Sequence, residues 1–380
     1  MPPQVIDVTA AEDPRDAVHR AVQALVEGKV VALPTETVYI AAVSALHEKS
    51  VDRLLAIRNG QLDGPATLAV RSMEEVLDYA QLPTVGQRLA RRCWPGPVTL
   101  QLDDAQPESA VQRLPARVRQ VVAPKGQIRV RVPAHDMMLR VLRLVAGPIV
   151  MIGARRATDA DSVTAQEVVS RLDGSIDLVI DEGRSKFGQR SSIVEVNENG
   201  FQIVRPGVFS EANLKRLASW MVVMICTGNT CRSPMAEILF RKRLADKLGC
   251  KLDELEDRGL VIMSAGLSAA PGGRSATEAM EVMKERSLDL SQHESQPLSD
   301  RIVRFADLIL TMTHSHREAI VGHWPEAESR TYVLSRTRGD VSDPIGGPTE
   351  LYRRCADQID AYLETWIDEL PLDELRCSKK

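Results

Sequence analysis

The chain has 380 residues, enough for two or three domains, and 44% of them are hydrophobic. Its net charge is −4, and no apolar run approaches the roughly 20 residues that a membrane-spanning helix needs. The amino terminus lacks a basic-then-apolar signal pattern, and six scattered cysteines point to a reduced, cytoplasmic setting rather than a disulfide scaffold. In chain order, Ala17–Val26 reads as an amphipathic helix and Val30–Leu33 as a strand. Helices follow at 49–57, 73–80 and 84–92. Next come a strand over Ile128–Val132, a helix at 136–145, and strands over Pro148–Ile152, Leu178–Ile180, Ile193–Val196 and Phe201–Val204. The alternation predicts an α/β or α+β domain over residues 1–210. A connection near 208–219, after Arg205-Pro-Gly207, leads to a second domain over 220–380.

The second half opens on its most informative stretch, Val222-Val-Met-Ile-Cys-Thr-Gly-Asn-Thr-Cys-Arg-Ser-Pro234. Met221–Ile225 is continuously apolar, as a buried parallel strand is. Ser233 suits an N-cap and Pro234 the first helical position. Ala236, Phe240, Leu244 and Leu248 then recur as one apolar stripe, with Gly249 as the stop. The loop therefore joins a strand's carboxyl end to a helix's amino end, where free N–H groups and the helix dipole favour an anion. Gly228 and Asn229 tolerate the φ values that converging amides need.

A bare C-x5-R match is more often a structural cysteine, but this context points to chemistry. A thiol's ordinary pKa of roughly 8.5 falls at helix N-termini and beside cations. Cys226 is the expected nucleophile, attacking phosphorus to form a phosphocysteine. Arg232 is the expected phosphate fork, a geometry lysine cannot supply. With amides and Arg232 holding the charge, no metal or cofactor is required. Asp343-Pro344, in a turn-rich segment with Gly346-Gly347, supplies a candidate general acid that later acts as base for water. That role requires the turn to fold over the loop.

Residues 221–370 resemble the low-molecular-weight protein phosphatase family nearly end to end. The matching pieces are Cys226–Ser233, Ser264-Ala-Gly266, Ala306-Asp-Leu-Ile-Leu-Thr-Met312, and Asp343-Pro344 with Gly346. The resemblance implies a Rossmann-like fold with a central parallel sheet and a phosphorylated protein as substrate. It implies Cys226 as nucleophile, Arg232 as phosphate binder and Asp343 as acid/base. The loop residues Thr227, Gly228, Asn229, Thr230, Cys231 and Ser233 would surround the phosphate. Asn229 and Ser233 would support the loop and thiolate, and Cys231 would trap Cys226 as a reversible disulfide under oxidation. Tyrosine-specific members usually carry an aliphatic residue where this chain has Thr230. The loop looks like that of bacterial protein-arginine phosphatases, and a hydroxyl can bond a guanidinium-side group or the attacking water. Thr can also simply fill the same β-branched volume. The residue after Asp343-Pro344, commonly aromatic in the family, is Ile345 here, which weakens stacking on a phenyl ring. Phosphoarginine is favoured over phosphotyrosine. Cys93, Cys250, Cys355 and Cys377 lack metal-like spacing and read as structural or incidental.

The first half resembles the threonylcarbamoyl-AMP synthase, or YrdC-like, family. The matching pieces are Leu33-Pro-Thr-Glu-Thr-Val-Tyr39, Trp94-Pro-Gly-Pro-Val-Thr99, Val130-Arg-Val-Pro133, Ser191-Ser-Ile-Val194 and Arg205-Pro-Gly207. Active members join threonine, bicarbonate and ATP for tRNA modification, so ATP and Mg are the ligands the resemblance implies. It maps a nucleotide and threonine pocket onto Thr35, Arg58, Arg131, Gly153, Arg155, Ser191 and Arg205. Three motifs depart from the family. Its Lys-x-Arg-Pro reads Arg58-Asn-Gly-Gln61, its Ser-x-Asn reads Gly153-Ala-Arg155, and the glycine after Thr-Val-Tyr is Ile40. Three readings follow: a phosphatase with an anion-sensing accessory domain, a phosphatase docked to RNA or protein by that domain, or a bifunctional enzyme that also makes threonylcarbamoyl-AMP.

Overall fold

Short buried runs build the sheet of the first half. Its strands are β1 (Gln4–Asp7), β2 (Val31–Leu33), β3 (Ile40–Ser44), β4 (Thr67–Ala69), β5 (Val98–Asp103), β6 (Gln127–Arg131), β7 (Ile149–Gly153), β8 (Leu178–Asp181), β9 (Ser192–Asn197) and β10 (Gly200–Arg205). The computed structural model describes residues 2–370 apart from 11, 12, 105, 107, 337, 338 and 369. By internal packing the chain forms two units, Met1–Leu214 and Lys215–Lys380. In the first, the strands lie in the order β1-β8-β2-β3-β7-β4-β6-β5-β9-β10, mixing parallel and antiparallel pairs.

The Pro14–Val26 helix starts where Asp13 accepts from the Arg15 N–H and Pro14 occupies the first turn. Its Ala17, Val18, Ala21 and Leu25 join Met138 and Val141 of the Asp136–Leu144 helix over β2, β3 and β7. The strand β3 was not expected from the sequence. Ile40, Ala41, Ala42 and Val43 are all buried, so the run lacks the period-two signal of a half-exposed strand. The helix expected at 73–80 is a single turn, Met73–Val76. Beyond it Leu77 and Asp78 bond three residues back, to Glu74 and Glu75, so the turn tightens into 3₁₀ geometry.

In the second unit, β11 (Trp220–Cys226), β12 (Leu260–Gly266), β13 (Leu308–Thr311) and β14 (Thr331–Val333) form a parallel sheet in the order β12-β11-β13-β14. Alternate residues of β11 feed two cores. Val222, Met224 and Cys226 pack with Leu239 and Phe240 of the Arg232–Leu248 helix and with Ile359 and Leu363 of the Thr349–Ile367 helix. Val223 and Ile225 pack with Val303, Ile309 and Ile320 on the opposite face. The central strand is therefore apolar throughout, as a sheet covered on both faces demands. The chain passes from β11 to β12 on one side and returns to β13 on the other, which opens a crevice at the carboxyl end of β11. Cys226 ends β11 at that crevice.

Candidate active site

The loop after β11 turns sharply because Asn229 takes a left-handed conformation, φ 55°. Gly228, expected to share that role, has no positive φ. The helix begins two residues earlier than expected, at Arg232, with Cys231 as its N-cap. Ser233 is therefore not the cap. Its hydroxyl accepts from Asn229 Nδ2 at 2.9 Å, which leaves its own proton for Cys226 Sγ, also at 2.9 Å. The Asn229 N–H reaches the same sulfur at 3.2 Å. Among the described residues, the N–H groups of Thr227, Gly228, Thr230 and Cys231 take no protein acceptor, so the loop keeps its donors for an anion. Gly249 ends the helix at φ 60°, as its sequence position implied.

Asn229 is fully buried and held from several sides. Its Nδ2 also donates to Ser264 Oγ at 2.9 Å, whose own hydroxyl donates to Glu237 Oε2 at 2.7 Å. Its Oδ1 accepts from the Gln296 N–H, and its carbonyl accepts from His293 Nε2 at 2.8 Å. His293 and Gln296 reach the loop from distant segments, and Glu237, although on the loop's own helix, acts on it only through Ser264, so local sequence shows none of the three. Burial pushes the Glu237 carboxyl above its usual pKa.

The Asp343 turn does fold over the loop. Arg232 Nη2 lies 2.5 Å from Asp343 Oδ2 and 3.5 Å from Thr227 Oγ1, while Nη1 reaches the Val341 carbonyl at 3.4 Å. Asp343 Oδ1 accepts from the Ile345 N–H at 3.2 Å, which fixes the turn, and Ile345 stands 69% exposed beside it. Cys231 is buried against Tyr352, with its Sγ 3.6 Å from the phenol oxygen. Cys355 lies nearby, its thiol pushed up to about 12 by burial. Cys93 is buried and Cys250 half-buried, and Cys377 lies outside the described residues.

In the first half, a cavity of about 700 Å³, counting its open mouth, is lined by Arg58, Arg129, Arg131, Arg155, Arg190 and Arg205. Asp63 pairs with Arg129 and Arg205, each at 3.3 Å, and Asp161 pairs with Arg155 and Arg190 at 3.1 and 2.5 Å. Arg131 pairs with buried Glu36 at 2.6 Å. Six arginines against these three carboxylates leave three positive charges uncompensated. Both aspartates of the lining are already engaged by arginines, so the residues suit an anion better than a divalent cation such as Mg. Arg58 donates to the Gly153 carbonyl at 3.3 Å, and burial, aided by the charges of Arg155 and Arg190, lowers its pKa to about 10. It stays charged at neutral pH.

Gly153, Ser191 and Ile40 also line this cavity. Thr35 does not. Its hydroxyl donates to the Val38 carbonyl at 2.6 Å and accepts from the Thr37 and Val38 N–H groups, so it shapes the turn behind the pocket. Arg155 lines the cavity, while its Nη1 donates to the carbonyls of Arg156, Ala157 and Asp159.

A cysteine ringed by loop amides, an arginine fork and an opposed carboxylate defines a cysteine-dependent phosphatase site. The model of the low molecular weight phosphotyrosine protein phosphatases matches residues 221–375, and the chain belongs to this family through that half. The model described as telomere recombination, that of the Sua5, YciO and YrdC proteins, matches residues 23–207. The chain thus joins a domain of each kind, and its second half is a hydrolase acting on phosphoproteins. A protein-arginine-phosphatase of Bacillus subtilis is 34% identical over 156 residues, 40% of this chain and 97% of the relative. A low molecular weight protein-tyrosine-phosphatase of Staphylococcus haemolyticus is 36% identical over 141 residues, 36% of this chain and 91% of the relative. A threonylcarbamoyl-AMP synthase of Pyrococcus abyssi is 33% identical over 182 residues, 48% of this chain; the match spans only 51% of that relative's length. Among the described residues, no helix is long and apolar enough to cross a membrane.

Proposed function

We propose that the second half removes phosphate from arginine side chains of proteins through a phosphocysteine intermediate, without a metal ion. The Bacillus relative is named for arginine and the Staphylococcus relative for tyrosine, so their names leave the substrate open. Thr230 carries the choice. It is half-buried in the loop, its Oγ1 3.6 Å from Cys231 Sγ and 3.5 Å from the place a Cβ on Gly228 would occupy. A hydroxyl there can bond the polar N–H groups of a phosphorylated guanidine, while an aliphatic chain offers bulk alone. Ile345, exposed on the Asp343 turn, provides no aromatic face for a phenyl ring.

In this reading the phosphate enters the ring of loop amides and draws the Arg232 fork away from Asp343. The Cys226 thiolate attacks phosphorus and the P–N bond breaks as protonated Asp343 gives its proton to the leaving nitrogen. Asp343, now a carboxylate, takes a proton from water. The water oxygen attacks phosphorus, the S–P bond breaks, and inorganic phosphate leaves with the thiolate restored. Arg232 and the loop N–H groups hold the equatorial oxygens throughout. The test is the ratio of kcat/KM for phosphoarginine and phosphotyrosine peptides. Thr230→Ile should move it toward phosphotyrosine by about tenfold or more; an unchanged ratio refutes the assignment.

For the first half, the reading supported best is an anion-binding domain whose synthase chemistry has been lost. The excess positive charge of the cavity supports binding, while Ile40, Gly60 and Gly153-Ala-Arg155 remove the family's ligand-facing pattern. Sustained release of pyrophosphate by the full chain, dependent on ATP, threonine and bicarbonate together, would establish the bifunctional alternative instead.

A further inference from the structure

His316 is a buried imidazole at the phosphatase site that the reaction above leaves unused. It is 7% exposed and enters from the third residue of the His314–His323 helix, where its backbone N–H donates to Thr313 Oγ1 at 3.2 Å. Its Nε2 lies 2.9 Å from Thr227 Oγ1. Its Nδ1 is buried without a hydrogen-bond partner. A proton on Nδ1 would bury an unpaired donor, so the proton sits on Nε2 and is donated to Thr227. Arg232 Nη2 approaches the same oxygen at 3.5 Å, and a guanidinium can only donate. Thr227 Oγ1 therefore accepts twice, and its own proton is left for a third group.

We propose that His316 is a positioning residue of the phosphatase: it pins the Thr227 hydroxyl so that this oxygen steadies Arg232 and turns its O–H toward a bound phosphoryl oxygen. The proposal rests on the phosphatase reading of Cys226 and Arg232, and not on which phosphoamino acid is cleaved. The charged groups facing His316 are Arg232, Asp343 and Asp340, the last held by His314 Nδ1 at 2.7 Å. Burial first, and then the Arg232 charge, hold His316 below its usual pKa of 6.5, with the two aspartates acting the other way. The imidazole is thus neutral at pH 7.

The test is a double-mutant cycle on the full chain, read as affinity for inorganic phosphate by titration calorimetry at pH 7.5. His316→Leu and Thr227→Val should each weaken phosphate by about 10-fold, and the double variant should be no weaker than the poorer single one. His316→Gln keeps an N–H for Thr227 without a titrating ring. It should recover binding to within about threefold of wild type. Losses that multiply in the double variant, or wild-type affinity in Thr227→Val, overturn the proposal. If His316→Leu does not fold, the Thr227→Val and His316→Gln measurements still decide. Intact coupling in a protein that ignores phosphoarginine would sink only the substrate assignment, and a wild-type chain that binds no phosphate would sink the phosphatase reading itself.

Discussion

Gly266→Ala should disable the phosphatase through backbone geometry alone. Gly266 ends β12 directly beneath the phosphate loop, and its φ is not positive, so an alanine there meets no conformational penalty of its own. The penalty is steric. A Cβ at Gly266 would stand 2.6 Å from the Thr227 carbonyl oxygen and 2.9 Å from both the Asn229 nitrogen and Ala269 Cβ. The tightest of these is about 0.8 Å short of the 3.4 Å where ordinary contact begins. Both sides of the clash are pinned, since the Thr227 carbonyl accepts from the Ser268 N–H at 2.9 Å and the Gly266 N–H donates to Gln296 at 3.0 Å. The loop must therefore lift by several tenths of an ångström. A misplacement near 1 Å in a site that works by fixed geometry costs about 10²-fold in rate. Overpacking of this size costs about 1–3 kcal/mol, which lowers the melting temperature of the second unit by roughly 2–10 °C. The assay is kcat/KM on a phosphoarginine peptide and on a generic aryl phosphate, beside a thermal melt of the full chain. A variant with kcat/KM within threefold of wild type and an unchanged melt would refute the reasoning.

Other outcomes follow from the same geometry. Cys226→Ser should abolish hydrolysis of both substrates while leaving phosphate binding measurable by calorimetry. Glu237→Gln should stabilise the second unit at pH 7. Burial raises the folded-state pKa of Glu237 above 4.5, so the ionised carboxylate opposes folding as pH climbs through that value; the gain seen in thermal melts should fade as pH falls below 4.5. Stability should also decline as pH drops below 6.5, because the unfolded chain then binds a proton that buried His316 resists, and His316→Gln should flatten that decline. In the first half, Arg58→Ala should weaken binding of pyrophosphate to the cavity by about tenfold, without changing phosphatase kcat/KM; equal affinity would return Arg58 to the role of a surface charge.

Much of the phosphatase site is legible locally. An apolar run ending in Cys226, an arginine six positions on and an apolar stripe after it define strand, loop and helix without reference to anything distant, because backbone periodicity and the free ends of a helix are local properties. Even there, the helix starts two residues before the position its composition suggests. Ser233 looks like a cap by composition, yet its hydroxyl is claimed by Cys226 and Asn229, a competition that only the closed loop creates. The strands β1, β3, β4 and β5 of the first half escape the sequence reading: β3, β4 and β5 are buried runs of three to six residues without the exposed face that makes alternation visible, and β1 is a mostly exposed run of four.

The chain by itself determined the two α/β units, the phosphate-binding loop and the residue types that can attack and bind phosphorus, because each rests on periodicity or on chemistry within a dozen residues. Tertiary structure decided what those residues are paired with. It brought Asp343 against Arg232 across 111 positions, set His316 behind Thr227 across 89, and gathered Glu237, Ser264, His293 and Gln296 around Asn229. It also moved Thr35 out of the arginine cavity and turned Arg155 onto its own loop. Those outcomes depend on which buried donor finds which acceptor, and that contest is settled by packing between segments far apart in the chain.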